Sequence, residues 1–104
     1  MLAKIEYEVT EHLGYVTINR PEVLNCFDYE TLVVLGETVD AIHTDRNVRV
    51  VIFTGTGEKA FSAGADLKER KTLTEAQVRR NVKKIRDVFS LIAALPQPTI
   101  AAIN

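Results

Sequence analysis

The stretch Ser62-Ala63-Gly64-Ala65-Asp66 holds the residue types best suited to chemistry in this sequence. Small side chains let a ligand approach the backbone closely, and Asp66-Leu67-Lys68-Glu69 reads as a helix start, where the first N–H groups lack partners inside the helix. Such donors, together with the positive end of the helix dipole, favour a negative oxygen, whether permanent or developing in a transition state. Tight packing of small residues is the competing reading. Ser62 is a poor nucleophile candidate, because no Gly-x-Ser-x-Gly surrounds it and neither His12 nor His43 stands in a recognisable triad.

Other candidates are weaker. Gly55-x-Gly57 follows an apolar run, but Lys59 is followed by Ala60, and no third glycine opens a helix. Neither the Walker nor the dinucleotide pattern is met, which favours a plain turn. Cys26 is either a reactive thiol or a buried structural residue; Asn25 and Phe27 beside it supply no cationic activation, which favours the second. One cysteine makes no internal disulfide and no Cys-based zinc site, the two histidines lack ligand spacing, and no metal is expected. No isolated carboxylate pair of the glycosidase kind is visible.

The elements that must position the 62–66 turn follow from periodicity. Ile5, Tyr7 and Val9 alternate with Lys4, Glu6 and Glu8, the period of a half-buried strand. The alternation resumes over 15–19 after a short Gly14-containing link, which predicts a β-hairpin stopped by Arg20-Pro21. Asp28 is a candidate cap for a helix over 29–43 with Leu32, Leu35, Val39 and Ile42 in one stripe, and Gly36 inside it costs about 1 kcal/mol relative to Ala. The run Val50-Val51-Ile52-Phe53 within 48–54 has no polar face and predicts an interior parallel strand, reached by a right-handed crossover. Thr74-Glu75 opens a last helix whose apolar positions read as Val78, Val82, Ile85, Phe89, Ile92 and Leu95. Pro96 and Pro98 end it, and 99–103 reads as the opening of another buried strand. The fold class is α/β.

The chain has 104 residues, 46% hydrophobic and 26% charged, which fits one globular domain and excludes a disordered tail or a disulfide scaffold. No apolar run approaches the roughly 18 residues of a membrane span. Residues 1–8 match neither a secretory signal nor a transit peptide, so a cytoplasmic location and no membrane partner are expected. The net charge of −1 is unevenly spread: residues 1–67 hold 5 basic and 11 acidic side chains, and residues 68–86 hold 8 basic and 2 acidic. The basic segment suits an anionic ligand, an acidic partner, or simply a solvated helix face. It lacks interleaved aromatics and any recognition motif, so no nucleic-acid partner is expected.

Five blocks taken together, Val16-Thr17-Ile18-Asn19-Arg20-Pro21, Leu24-Asn25, Val51-Ile52-Phe53-Thr54-Gly55, Phe61-Ser62-Ala63-Gly64-Ala65-Asp66-Leu67-Lys68-Glu69 and Pro98-Thr99-Ile100-Ala101-Ala102-Ile103-Asn104, resemble the crotonase superfamily, most closely the enoyl-CoA hydratase/isomerase family. The resemblance covers the whole chain in order, and 61–69 is its most specific part. It implies the N-terminal part of the ClpP-like spiral of ββα units, a homo-oligomer (trimer or hexamer), and an acyl-CoA thioester as substrate. No separate cofactor is implied, since coenzyme A is part of the substrate. By the same resemblance the Ala65 backbone N–H is the first of two oxyanion donors and Ala63 contacts the adenine through its backbone. Asp66, Leu67 and Lys68 border the thioester and pantetheine path, while Leu24 and Cys26 line the coenzyme entrance.

Two departures from the family pattern stand out. Glu22 and Val23 occupy positions where relatives often carry Lys or Arg before Leu-Asn, which leaves one phosphate contact open. In the family, the second oxyanion donor and the two glutamates that add water lie beyond the position of Asn104. Residues 1–104 are therefore expected to be a truncated acyl-CoA-binding domain, nearly inactive alone and prone to associate. The intact form would hydrate a trans-2-enoyl-CoA to a 3-hydroxyacyl-CoA, a lyase reaction of fatty-acid metabolism. The alternatives are another crotonase reaction such as enoyl-CoA isomerisation, or a non-catalytic acyl-CoA-binding or subunit-interaction fragment.

Overall fold

The computed structural model describes residues 3–104; Met1 and Leu2, which open the first alternating segment, lie outside the described residues. Strands β1 (Ile5–Thr10) and β2 (Leu13–Ile18) form an antiparallel hairpin in which Ile5 faces Ile18 and Thr10 faces Leu13. The turn is the pair Glu11-His12, both with positive φ (50° and 68°), which matches the right-handed strand twist. Gly14, expected in the link, belongs to β2 instead. A Cβ there would lie 3.0 Å from Val48 Cγ1 and 3.3 Å from the Tyr7 ring. β1 is less buried than its alternation suggests: only Ile5 is inside, because the strand is the sheet's edge and no described helix covers its far end.

Helix α1 (Tyr29–His43) starts at Asp28, whose Oδ1 accepts the Thr31 N–H at 2.8 Å. Its buried stripe, Leu32, Leu35, Val39 and Ile42, is the one the spacing predicts. β3 (Val50–Gly55) pairs parallel with β2 on one side and with β4 (Thr99–Ala102) on the other, so the sheet order is β1-β2-β3-β4. Parallel pairing of consecutive strands requires crossovers, supplied by α1 and by α3 (Glu75–Ala93). The core lies between the sheet and α1, where Val16, Ile18, Val51 and Phe53 meet the α1 stripe. α3 approaches α1 closely at Gly36, where a Cβ would sit 3.3 Å from Val88.

Two expectations are corrected. The inward face of α3 is Asn81, Ile85, Val88 and Ile92, with Leu95 buried just beyond the helix; Val82 and Phe89 are 51% and 43% exposed. On this row Ile85, Val88 and Ile92 pack on the core, and Asn81 donates its amide to Glu69 at 2.9 Å. β4 is exposed at all four residues rather than buried, since it pairs only with β3 and no described element covers its faces. No helix among the described residues is long and apolar enough to cross a membrane.

Candidate functional site

The site is built where two loops meet beyond the ends of β2 and β3. After β2, Pro21 opens a single 3-10 turn, and Leu24 and Asn25 follow with φ of 56° and 55°. Two consecutive left-handed residues are strained in an L-chain and persist only where surrounding bonds hold them. Asn25 provides those bonds. It is buried; its Oδ1 accepts the Arg20 N–H at 2.8 Å, and its Nδ2 donates to Thr56 O at 3.0 Å and Ala60 O at 2.9 Å. The loop after β3 is thereby stapled to the turn after β2. Gly55 makes that closeness possible, because a Cβ there would lie 2.3 Å from Phe61 O and 2.7 Å from Asn25 Nδ2.

The 63–66 turn docks on the same strip of backbone. The Ala63 N–H donates to Leu24 O at 2.9 Å, the Phe27 N–H to Gly64 O at 2.7 Å, and the Asp66 N–H to Phe27 O at 2.9 Å, so that Phe27 and Ala65 form an isolated parallel bridge. Gly64 has φ of +94° with open space around its missing Cβ, so its requirement is conformational rather than steric. The Gly64 N–H is taken by Ser62 Oγ at 3.2 Å. Within this turn the half-buried Ala65 N–H is the donor with no acceptor among the described residues. An amide fixed on both sides and left unpaired is suited to receive an oxyanion.

Asp66 caps α2 (Leu67–Arg70), accepting the Glu69 N–H at 3.1 Å. That bond, with the nearby Arg20 guanidinium, outweighs burial and holds the carboxyl below its ordinary value. Arg20 is the hub. Its Nη1 donates to Cys26 O at 2.7 Å and reaches Asp66 Oδ2 at 3.3 Å, while Nη2 lies 3.4 Å from Asp28 Oδ2. One guanidinium thus joins the capping carboxylates of α1 and α2. Asp28 is also held by Lys4 Nζ at 2.8 Å. Burial pushes its carboxyl up, but Lys4, Thr31 and Arg20 together leave it lowered.

The structure brings Ala63, Ala65 and Asp66 together with Leu24, and Leu67 and Lys68 follow Asp66 in the first turn of α2. Leu24 is 45% exposed and borders a cleft of about 360 Å3 with Pro21, Glu22 and residues 56–60. Leu67 and Lys68 are both exposed. Cys26 is buried; its thiol lies 3.6 Å from Arg20 Nη1, and burial, with Asp66 next in importance, pushes its pKa up. The residues to which sequence reasoning gave no role in the site are Arg20, read as a strand stop and as part of the 16–21 block, and Glu69, part of the 61–69 block, which accepts the Tyr29 N–H at 3.1 Å and ties α2 to α1. The available signal was two cap-like aspartates, Asp28 and Asp66, with an arginine able to pair both.

A second, apolar cavity of about 240 Å3 adjoins the turn, lined by Ile18, Phe27, Phe53, Phe61, Phe89 and Ile100. Phe27 and Phe89 meet edge to face at 5.7 Å. On the basic side of α3, Arg80 stacks 4.2 Å above the Tyr29 ring, and Arg79 and Lys83 pair with Glu75 and Asp87 of the same helix. Among the described residues no group of three His, Cys, Asp or Glu side chains could hold a metal ion.

Comparison with known proteins places this architecture. Residues 8–104 match the enoyl-CoA hydratase/isomerase family profile. YngF of Bacillus subtilis, which carries a provisional enoyl-CoA hydratase/isomerase name, is 51% identical over 94 residues, covering 90% of this chain and 36% of that protein. The crotonyl-CoA hydratase of Syntrophomonas wolfei is 37% identical over 97 residues, covering 93% of this chain and 37% of its own length. The crystal structure of an enoyl-CoA hydratase from Bacillus anthracis superposes with a TM-score of 0.95 at 44% identity, over 98% of this chain and 40% of that one. The chain therefore spans well under half the length of these relatives and has the crotonase fold over the part they share. It belongs to the enoyl-CoA hydratase/isomerase family of the crotonase superfamily.

Proposed function

We propose that the polypeptide carrying this segment binds an acyl-CoA thioester and, in its complete form, adds water to a trans-2-enoyl-CoA to give a 3-hydroxyacyl-CoA. The observation that carries the reading is the unpaired Ala65 N–H, presented between the Phe27 bridge and the cap of α2. A donor fixed in advance stabilises the enolate oxygen without reorganising, a contribution of about 2.7–4 kcal/mol to the transition state. Ala63, Asp66, Leu67 and Lys68 flank that donor along the turn and the start of α2, where a thioester and its pantetheine arm would pass, and Leu24 borders the cleft beside it. Coenzyme A enters as part of the substrate, so this chemistry calls for no resident cofactor.

Proton transfer to and from the substrate needs carboxyl groups that are not already taken up in structural bonds. Beside the turn, Asp66 is committed to Arg20 and the Glu69 N–H, and Glu69 to the Tyr29 N–H and Asn81. In this reading the 104-residue chain polarises the thioester, and the acid and base come from elsewhere in the complete enzyme. The family spans hydratases and isomerases, and a homo-oligomer accords with the exposed apolar residues of α3 and β4.

Calorimetric titration with a short trans-2-enoyl-CoA, alongside the loss of its conjugated thioester absorbance, tests the proposal. We expect saturable heat from the 104-residue protein with almost no hydration, and both binding and hydration from the complete polypeptide. A complete polypeptide that shifts the double bond without adding water would move the assignment to isomerisation. Absence of saturable binding in both forms would overturn the reading.

A further inference from the structure

We infer that Arg20 is a positioning residue that aims the Ala65 N–H by clamping the 63–66 turn to the 26–28 strip; this rests on the oxyanion reading above. Ala65 is fixed by the backbone bonds that Gly64 O and the Asp66 N–H, on either side of it, make to Phe27, and each side of that bridge is tied to the same guanidinium. On one side Arg20 Nη1 donates to Cys26 O, at 2.7 Å the tightest of its contacts. On the other it faces Asp66 Oδ2 from both nitrogens, at 3.3 and 3.4 Å. Its third partner, Asp28 Oδ2 at 3.4 Å, anchors the assembly to the first turn of α1. The Arg20 side chain is 12% exposed and the carboxylates it serves are 12% and 13% exposed, so solvent screens these charges little.

The geometry calls for arginine. Three acceptors approach from different directions, and a planar fork reaches all of them at once, whereas a lysine ammonium is a point charge on a flexible stem. The Arg20 side chain bonds to Cys26, Asp66 and Asp28, and none of these contacts is to Ala65 itself. Its effect on the reaction passes through the orientation of Ala65, and a small misdirection of an oxyanion donor costs rate rather than affinity.

The test compares the complete wild-type polypeptide with Arg20→Gln, Arg20→Lys and Asp66→Asn. The probe is a strongly conjugated enoyl-CoA thioester whose absorbance moves to longer wavelength when its carbonyl is polarised. The wild type is expected to red-shift the bound probe. Arg20→Gln is expected to lose most of that shift and about 100-fold in kcat, with KM within about threefold. Arg20→Lys, which restores charge but not the fork, is expected to recover part of both. Asp66→Asn keeps an equally good helix cap while removing the charge that Arg20 holds, so it serves if Arg20→Gln fails to fold; a kcat loss of about tenfold is expected from it. A red shift and kcat that survive in Arg20→Gln, or in Asp66→Asn where that variant stands in, overturn the inference alone. No red shift in the wild type removes the oxyanion reading and this inference with it.

Discussion

Around Arg20 the chain buries polar groups and pairs them; around Phe89 it leaves apolar groups in the open. In the first region Asn25, Asp28 and Arg20 lie largely out of solvent, and their donors and acceptors meet partners across three loops. In the second, Val82 and Phe89 of α3, with Ile100 and Ile103 at the end of the sheet, are 43–76% exposed. The difference separates what this segment finishes by itself from what it offers to another surface. A satisfied buried network specifies one arrangement, whereas an uncovered apolar face specifies only that something should cover it.

The contrast breaks most sharply at Asn25. Asn25→Ala leaves the Arg20 N–H and the Thr56 carbonyl without their partner, leaves the Ala60 carbonyl only the Asn104 amide at 3.3 Å, and puts alanine at φ 55°. We expect a loss of about 3 kcal/mol in a urea unfolding series, with the 56–60 loop becoming the earliest site of proteolysis. A loss under about 1 kcal/mol would mean that the staple is not what holds the two loops together.

Acid should act on the same region. The Asp28 and Asp66 carboxyls are held below their ordinary value of 3.8 in the folded chain. The stability they contribute is therefore complete above the unfolded-state value and is lost as pH falls through the folded-state value. Urea midpoints measured from pH 6 down to pH 3 should be flat at first and then decline. The Asp66→Asn variant should start lower and decline less. An equal decline in both would remove Asp66 from the account.

The smallest effect is expected on the open face. Val82→Ser, at a position half exposed, should change stability by no more than about 0.5 kcal/mol. A larger loss, or a Tm that rises with protein concentration, would sharpen the contrast differently, by showing that this face is covered in solution by another copy.

How far each region could be read from sequence follows from the same contrast. The hairpin, α1 with its Asp28 cap, the interior placement of β3 and the Asp66 cap rest on short-range patterns, and all are present. The face of α3 was misread because Val82 and Phe89 are apolar and Asn81 is not. Which row turns inward involves partners distant in sequence, Gly36 of α1 against Val88 and Glu69 of α2 with Asn81. β4 is apolar enough for a buried strand, but burial requires a cover that sequence pattern does not reveal. In the site, the 62–66 turn was visible as a run of small residues before a cap. The Arg20 clamp was not, since Arg20 and Asp66 are 46 positions apart and nothing local marks them as partners.

The strand order of the sheet equals the order of the strands along the chain. Each new strand therefore docks on the one made just before it, and no gap must be held open for a later arrival. The hairpin closes through a two-residue turn and needs only local contacts, which places it on the microsecond scale, ahead of both crossovers. A ribosome releasing this segment from its N-terminus would thus expose a growing edge that is always the last strand completed. Its vulnerability to pairing with a foreign strand moves along the chain with synthesis, and in the finished segment one such edge is β4.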